Sequence, residues 1–121
     1  MTTVQELIVD AYGCTGDLSH ADRFKRMFRD AAKCVGATIV ETVRHQFVPH
    51  GLTVCAILKE SHFIVSTWPE HELVITNIFL CNDKMDVKKC WSVLEKSLKP
   101  KHVVFHSVPH RVFRMDQKLT G

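Results

Sequence analysis

The 121-residue sequence contains no apolar run approaching the about 18–20 residues that a membrane-spanning helix needs. It does not open with a basic segment followed by an apolar one, so no signal peptide is expected and a cytoplasmic location is. Its five cysteines, Cys14, Cys34, Cys55, Cys81 and Cys90, include no Cys-x-x-Cys pair. An odd and scattered set argues for reduced thiols rather than a disulfide framework or a zinc site. There is no Gly-x-Ser-x-Gly elbow, no P-loop and no dinucleotide fingerprint, which removes three common enzyme readings. Internal repeats, low-complexity tracts and long linkers are absent too, and the length suits one domain, residues 1–121.

What is present is a modest excess of positive charge, +3, with a basic cluster between Lys84 and Lys101. A solvated helix face accounts for that cluster better than a nucleic-acid footprint, so neither nucleic acid nor membrane is an expected partner. Eight histidines invite a metal reading, and His102, His106 and His110 are the best candidates. On a strand, a four-residue step covers about 13 Å, too far for three side chains to share one ion. No metal site is expected.

Residues 4–12 alternate as a strand does and are broken by Gly13 to Gly16. Ser19 and Asp22 resemble a capping box for a helix over residues 20–35, whose Phe24, Met27, Phe28, Ala31 and Val35 recur on one face before Gly36 stops it. Residues 37–48 are rich in β-branched side chains and end at the turn Pro49-His50-Gly51. Residues 52–58, 63–67 and 73–80 read as strands. Asp83 to Asp86 leads into a second helix that buries Val87, Cys90, Trp91, Leu94 and Leu98, and Pro100 ends it. Residues 101–108 form a last strand, with a loosely held tail after Pro109. Strands joined by short turns are antiparallel. The predicted fold is α+β, a two-layer α/β sandwich in which two helices cover one face of a mostly antiparallel sheet. The other face would remain apolar, which predicts dimerisation.

Within this frame the stretch Glu60-Ser61-His62 is unusual, a polar interruption between two apolar strands. Ser and His in a hairpin are most often plain turn chemistry. A serine in a strained turn also has a hydroxyl able to attack the carbonyl before it.

Several segments follow one another at fixed distances: Gly36 to Val40, His45-Gln46-Phe47-Val48-Pro49-His50-Gly51, Glu60-Ser61-His62, Thr67-Trp68-Pro69-Glu70 and Phe79-Leu80-Cys81, with Gly13-Cys14 after the first strand. This ordered set resembles the small, self-processing prokaryotic S-adenosylmethionine decarboxylase family, and the resemblance covers about residues 4 to 113. It implies that Ser61 is the precursor of a covalent pyruvoyl cofactor. The Ser61 hydroxyl would attack the Glu60 carbonyl, the ester would undergo β-elimination, and hydrolysis would leave a β chain of residues 1–60 and an α chain of residues 61–121. The pyruvoyl carbonyl would form a Schiff base with the substrate amine and take up electrons as carbon dioxide leaves. By the same resemblance Cys81 returns a proton to the substrate, and a thiol near its ordinary pKa of about 8.5 carries that proton at neutral pH. Phe47 would stack on adenine and Glu70 would hold the ribose hydroxyls. Active sites of the family draw groups from both protomers of a homodimer.

The chain departs from the family pattern at three positions. A histidine that assists processing is replaced by Ser66, and a hydroxyl is no comparable base at neutral pH. A helper serine is replaced by Thr53, which leaves Thr53 and His45 as candidate processing aids. The first strand reads Val4-Gln5-Glu6-Leu7 where the family commonly has Gly-x-His-Leu. Three functions are compatible with these residues. The first is S-adenosylmethionine decarboxylation, which supplies aminopropyl groups for spermidine and other polyamines. The second is a pyruvoyl-dependent ornithine or arginine decarboxylase in which Glu6 meets the substrate cation. The third is an unprocessed, non-catalytic homologue that binds a ligand or regulates a partner.

Overall fold

The computed structural model describes residues 2–82 and 84–112. Six strands and two helices run in the order β1 (Thr2–Tyr12), α1 (Ala21–Val35), β2 (Ile39–Gln46), β3 (Leu52–Leu58), β4 (Ser61–Trp68), β5 (Leu73–Phe79), α2 (Val87–Leu98) and β6 (His102–Val112). A single 3-10 turn, Pro69–His71, joins β4 to β5. The strands form one sheet in the order β2-β3-β4-β5-β1-β6, with every neighbouring pair antiparallel. Short turns make β2 to β5 a meander, while α1 carries the chain from β1 to the far edge and α2 carries it back to β6. The α+β sandwich expected from the sequence is the observed fold.

Period-two alternation decides which face the helices cover. Leu7, Val9 and Ala11 of β1, Leu52, Val54, Ala56 and Leu58 of β3, and Phe63 and Val65 of β4 are all buried in one core with both helices. On α1, Phe24, Met27, Phe28 and Ala31 supply the matching stripe. The rings of Phe28 and Phe63 sit 5.5 Å apart, tying α1 to the centre of the sheet. Full burial of such a side chain contributes about 1.5–3 kcal/mol. Gly36 ends α1 at φ 76°, and its amide caps the carbonyls of Ala32 and Lys33. That left-handed conformation is where a glycine is needed. At α2 the Asp86 side chain accepts from the Lys88 amide and caps the helix.

Several boundaries differ from the sequence reading. The capping box is not formed: His20 is the N-cap of α1 without a side-chain bond, and Asp17 instead accepts from the Ser19 amide. β6 runs through Pro109 to Val112, because it is an edge strand and a missing amide on its outer side disrupts no ladder. The remainder of the expected tail, residues 113–121, and Asp83 lie outside the described residues. Among the described residues, no helix is long and apolar enough to cross a membrane.

The face away from the helices is mixed rather than uniformly apolar. Tyr12, Val43, Ile57 and Val108 are exposed there, and Ile8, Ile64, Ile75 and Phe79 are half-buried. Between them runs a line of hydrogen-bonded Glu, Asn and His side chains. His102, His106 and His110 point to separate partners on this face: His102 lies beside Tyr12, His106 bonds Asp10 at 3.0 Å and His110 bonds Glu6 at 2.8 Å.

Candidate active site

The turn between β3 and β4 is tighter than the sequence suggests. Leu58 pairs directly with Ser61, so Lys59 and Glu60 alone make the turn, and Ser61 and His62 are the first residues of β4. Glu60 adopts φ 73°, a left-handed conformation that costs a residue with a side chain about 1–2 kcal/mol. The Lys59 amide donates to the Thr38 carbonyl at 3.1 Å and anchors the turn against the α1–β2 link. Strain therefore sits on the residue whose carbonyl precedes Ser61.

Ser61 opens onto a cavity of about 320 Å3. Gly36, Ala37 and Thr38 form one wall, and Cys81, Asn82 and Met85, from the link between β5 and α2, form another. The Cys81 thiol is pushed above its ordinary value by desolvation, with the Glu60 carboxylate adding to the effect. It is therefore a neutral proton donor at physiological pH. A nucleophilic hydroxyl behind a strained residue, with a protonated thiol on the same cavity, fits a pyruvoyl group generated in place.

The other residues singled out from the sequence lie at the opposite end of the same hairpin. Thr53 and Ser66 are register partners on β3 and β4, their hydroxyl oxygens 3.1 Å apart. His45, the β2 partner of Thr53, packs its ring edge against Phe47 at 4.6 Å. The Phe47 amide donates to the Gly51 carbonyl, and Gly51, at φ 106°, lies so near the Thr67 carbonyl oxygen that a Cβ would crowd it. Glu70 projects from the exposed 3-10 turn that follows β4. Five residue steps along β4 separate Ser66 from Ser61, about 16 Å. One chain thus holds two groups, Glu60, Ser61 and Cys81 at one end and His45, Phe47, Thr53, Ser66 and Glu70 at the other.

Glu6 belongs to neither end as a free carboxylate. One of its oxygens accepts from Asn77 and the other is bonded by His110, and these two contacts, the Asn77 bond first, hold its carboxyl below the usual carboxylate range. Asn77 in turn bonds His62 at 3.1 Å. Neither Asn77 nor the contact it makes with His62 was singled out from the sequence. The available signal was a lone amide on the outward-facing positions of the otherwise apolar run Leu73–Phe79.

These features define a small two-layer α/β fold with a serine, set behind a left-handed residue, that shares a cavity with a thiol. The chain matches the S-adenosylmethionine decarboxylase family over residues 5–111. It is 32% identical over 114 residues to the S-adenosylmethionine decarboxylase proenzyme of Thermotoga maritima, covering 93% of this chain and 86% of that one. It is 34% identical over 105 residues to the proenzyme of Fervidobacterium nodosum, covering 84% and 77%. The crystal structure of the adenosylmethionine decarboxylase from Aquifex aeolicus superposes with a TM-score of 0.84 over 98% of both chains at 23% identity, a likeness of fold. The chain belongs to the S-adenosylmethionine decarboxylase family, whose cofactor is a pyruvoyl group formed from a serine by self-cleavage.

Proposed function

We propose that this protein decarboxylates S-adenosylmethionine with a pyruvoyl group made from its own Ser61, splitting between Glu60 and Ser61 into a β chain of residues 1–60 and an α chain of residues 61–121. The observation that carries the reading is the cavity shared by Ser61 and Cys81, entered behind a left-handed Glu60. The pyruvoyl carbonyl supplies the electron sink that lets carbon dioxide leave. Cys81 holds the proton that is returned to the substrate carbon. The decarboxylated product is an aminopropyl donor for polyamine synthesis, and the expected location is the cytoplasm.

The same reading makes the working unit a homodimer. Phe47 and Glu70, the expected adenine and ribose contacts, stand too far along the hairpin from Ser61 to serve the same bound molecule within one chain. A second copy packed against the helix-free face, with its hairpin reversed, brings its Phe47, Glu70, Thr53 and Ser66 to the Ser61 and Cys81 of the first. The exposed Val43, Ile57 and Val108 on that face give such a contact its apolar area.

Intact mass under denaturing conditions tests the processing. Two fragments divided before Ser61, the larger-numbered one lacking ammonia and headed by a carbonyl, are expected. A single chain that persists through long incubation would rule out both pyruvoyl-enzyme readings and leave the non-catalytic homologue. Carbon dioxide release from S-adenosylmethionine, ornithine and arginine, assayed in parallel on the cleaved protein, tests the substrate. Release from S-adenosylmethionine is expected, and release from a basic amino acid instead would move the assignment to the other decarboxylase.

A further inference from the structure

Self-cleavage needs a group that removes the Ser61 Cα proton during elimination, and Ser66 and Thr53 offer only hydroxyls. Near Ser61, the helix-free face holds a hydrogen-bonded line from β6 to β4: His110, Glu6, Asn77, His62. Its polarity can be read from one end. The Glu6 carboxylate only accepts, so the amide nitrogen of Asn77 must face it, which turns the Asn77 carbonyl oxygen toward His62. The Nε2 of His62 then carries the hydrogen, and Nδ1 keeps a lone pair. Among the described residues, no hydrogen bond engages that Nδ1.

Of the other titratable groups on this face, Glu41 lies two strands from His62, beyond Ile57, and Cys55 pairs with Ile64 further along the hairpin. Glu6 has both oxygens bonded, His110 is tied to Glu6, Asp10 and His106 hold each other, and His45 is at the far end of the hairpin. The uncharged side chains nearest His62 are Asn77, Phe79 and its register partner Ile57. Ser61 shares the parity of Phe63 and Val65 and turns its side chain toward the cavity, while its Cα hydrogen lies near the plane of the sheet, one residue before His62 on β4.

We propose that His62 is the base of the elimination step, held in the competent tautomer by the positioning residues Asn77 and Glu6. The inference rests on the self-cleavage proposed above. In the first step Ser61 Oγ bonds to the Glu60 carbonyl carbon, its proton passes to the Ser61 nitrogen, and the C–N bond breaks, leaving an ester and a free amine. In the second, His62 Nδ1 takes the Ser61 Cα proton, the Cβ–Oγ bond breaks, and Glu60 departs as a carboxylate. The remaining dehydroalanine takes up water and releases ammonia, and the imidazolium gives its proton to solvent.

The test uses the full chain and reads masses with and without hydroxylamine, which cuts esters but not amides. His62→Gln retains a donor for Asn77 and lacks the base, so it should stall at the ester. It would show the precursor mass, split by hydroxylamine into a residue 1–60 hydroxamate and a fragment with an unmodified N-terminal serine. Loss of a general base slows a step by about 10²–10⁴-fold, and added imidazole should restore part of the rate. Asn77→Leu should accumulate the same hydroxylamine-sensitive ester with a smaller slowing, a result that a purely structural amide would not give. Pyruvoyl formation at the wild-type rate in His62→Gln, or a chain that resists hydroxylamine, would overturn the proposal. An uncleaved wild type would instead take down the self-cleavage reading beneath it.

Discussion

The two ends of the β3–β4 hairpin are built for different work. At the Ser61 end the chain is wound into a two-residue turn with a left-handed Glu60, and the serine and Cys81 share a cavity. At the other end Thr53 and Ser66 bond each other across an unstrained ladder, with Phe47 and Glu70 exposed at its margin. In the proposed function one end carries the groups that would change covalently, and the other carries groups that would hold the substrate and assist. A rigid strand keeps them about 16 Å apart, and in the proposed function a reversed second copy is the arrangement that would join them.

Removing the reacting groups should separate the two ends most sharply. Ser61→Ala should abolish cleavage altogether, leaving one chain by mass. Cys81→Ala should cleave normally but turn over about 10²–10⁴-fold more slowly, the usual effect of losing a general acid. The raised pKa of Cys81 gives this step a direction with pH. Its proton is in place at neutral pH, so carbon dioxide release should fall only as pH rises beyond the ordinary thiol range. Loss of activity already at neutral pH in step with thiolate formation would remove Cys81 from this role.

A change under the hairpin tests whether the two ends depend on one rigid support. Phe63→Ala removes a buried ring that contacts Phe28 of α1, and it should lower stability by about 3–5 kcal/mol in denaturant titration. A loss below 1 kcal/mol would mean that the sheet does not hold the two ends through this contact. The smallest effect is expected at Glu6. Its pKa is depressed in the folded protein, so its contribution is complete above the ordinary 4.5 and is lost as pH falls through the lower folded value. The melting-temperature gap between wild type and Glu6→Gln should therefore be constant near neutral pH and close in acid. A gap independent of pH would show that the carboxylate charge is not what Asn77 and His110 hold.

The fold was largely legible in the sequence because its signals are local. The stripe Phe24, Met27, Phe28, Ala31 fixes α1, alternation fixes the strands, and Gly36 marks a helix end that the left-handed geometry requires. The β6 extension through Pro109 was not legible, since tolerance of proline depends on whether a strand lies at an edge. The candidate site was visible as an ordered set of motifs, yet linear spacing could not reveal that Ser66 and Thr53 stand at the opposite end of the hairpin from Ser61. That separation follows from strand rise, once Ser61 is known to begin β4 rather than to sit in the turn. The line Glu6, Asn77, His62 was hidden for a similar reason, because it crosses three strands and its members are far apart in sequence.

The most direct test of a site shared between two copies is complementation in a mixed dimer. A chain carrying Ser61→Ala and Cys81→Ala lacks one end, and a chain carrying Phe47→Ala and Glu70→Ala lacks the other. Each should be inactive alone. Co-expressed in equal amounts they should recover about a quarter of wild-type decarboxylation, because half of the two-fold dimers are mixed and each mixed dimer has one intact site. No recovery in mixed dimers that are demonstrably formed would contradict the account.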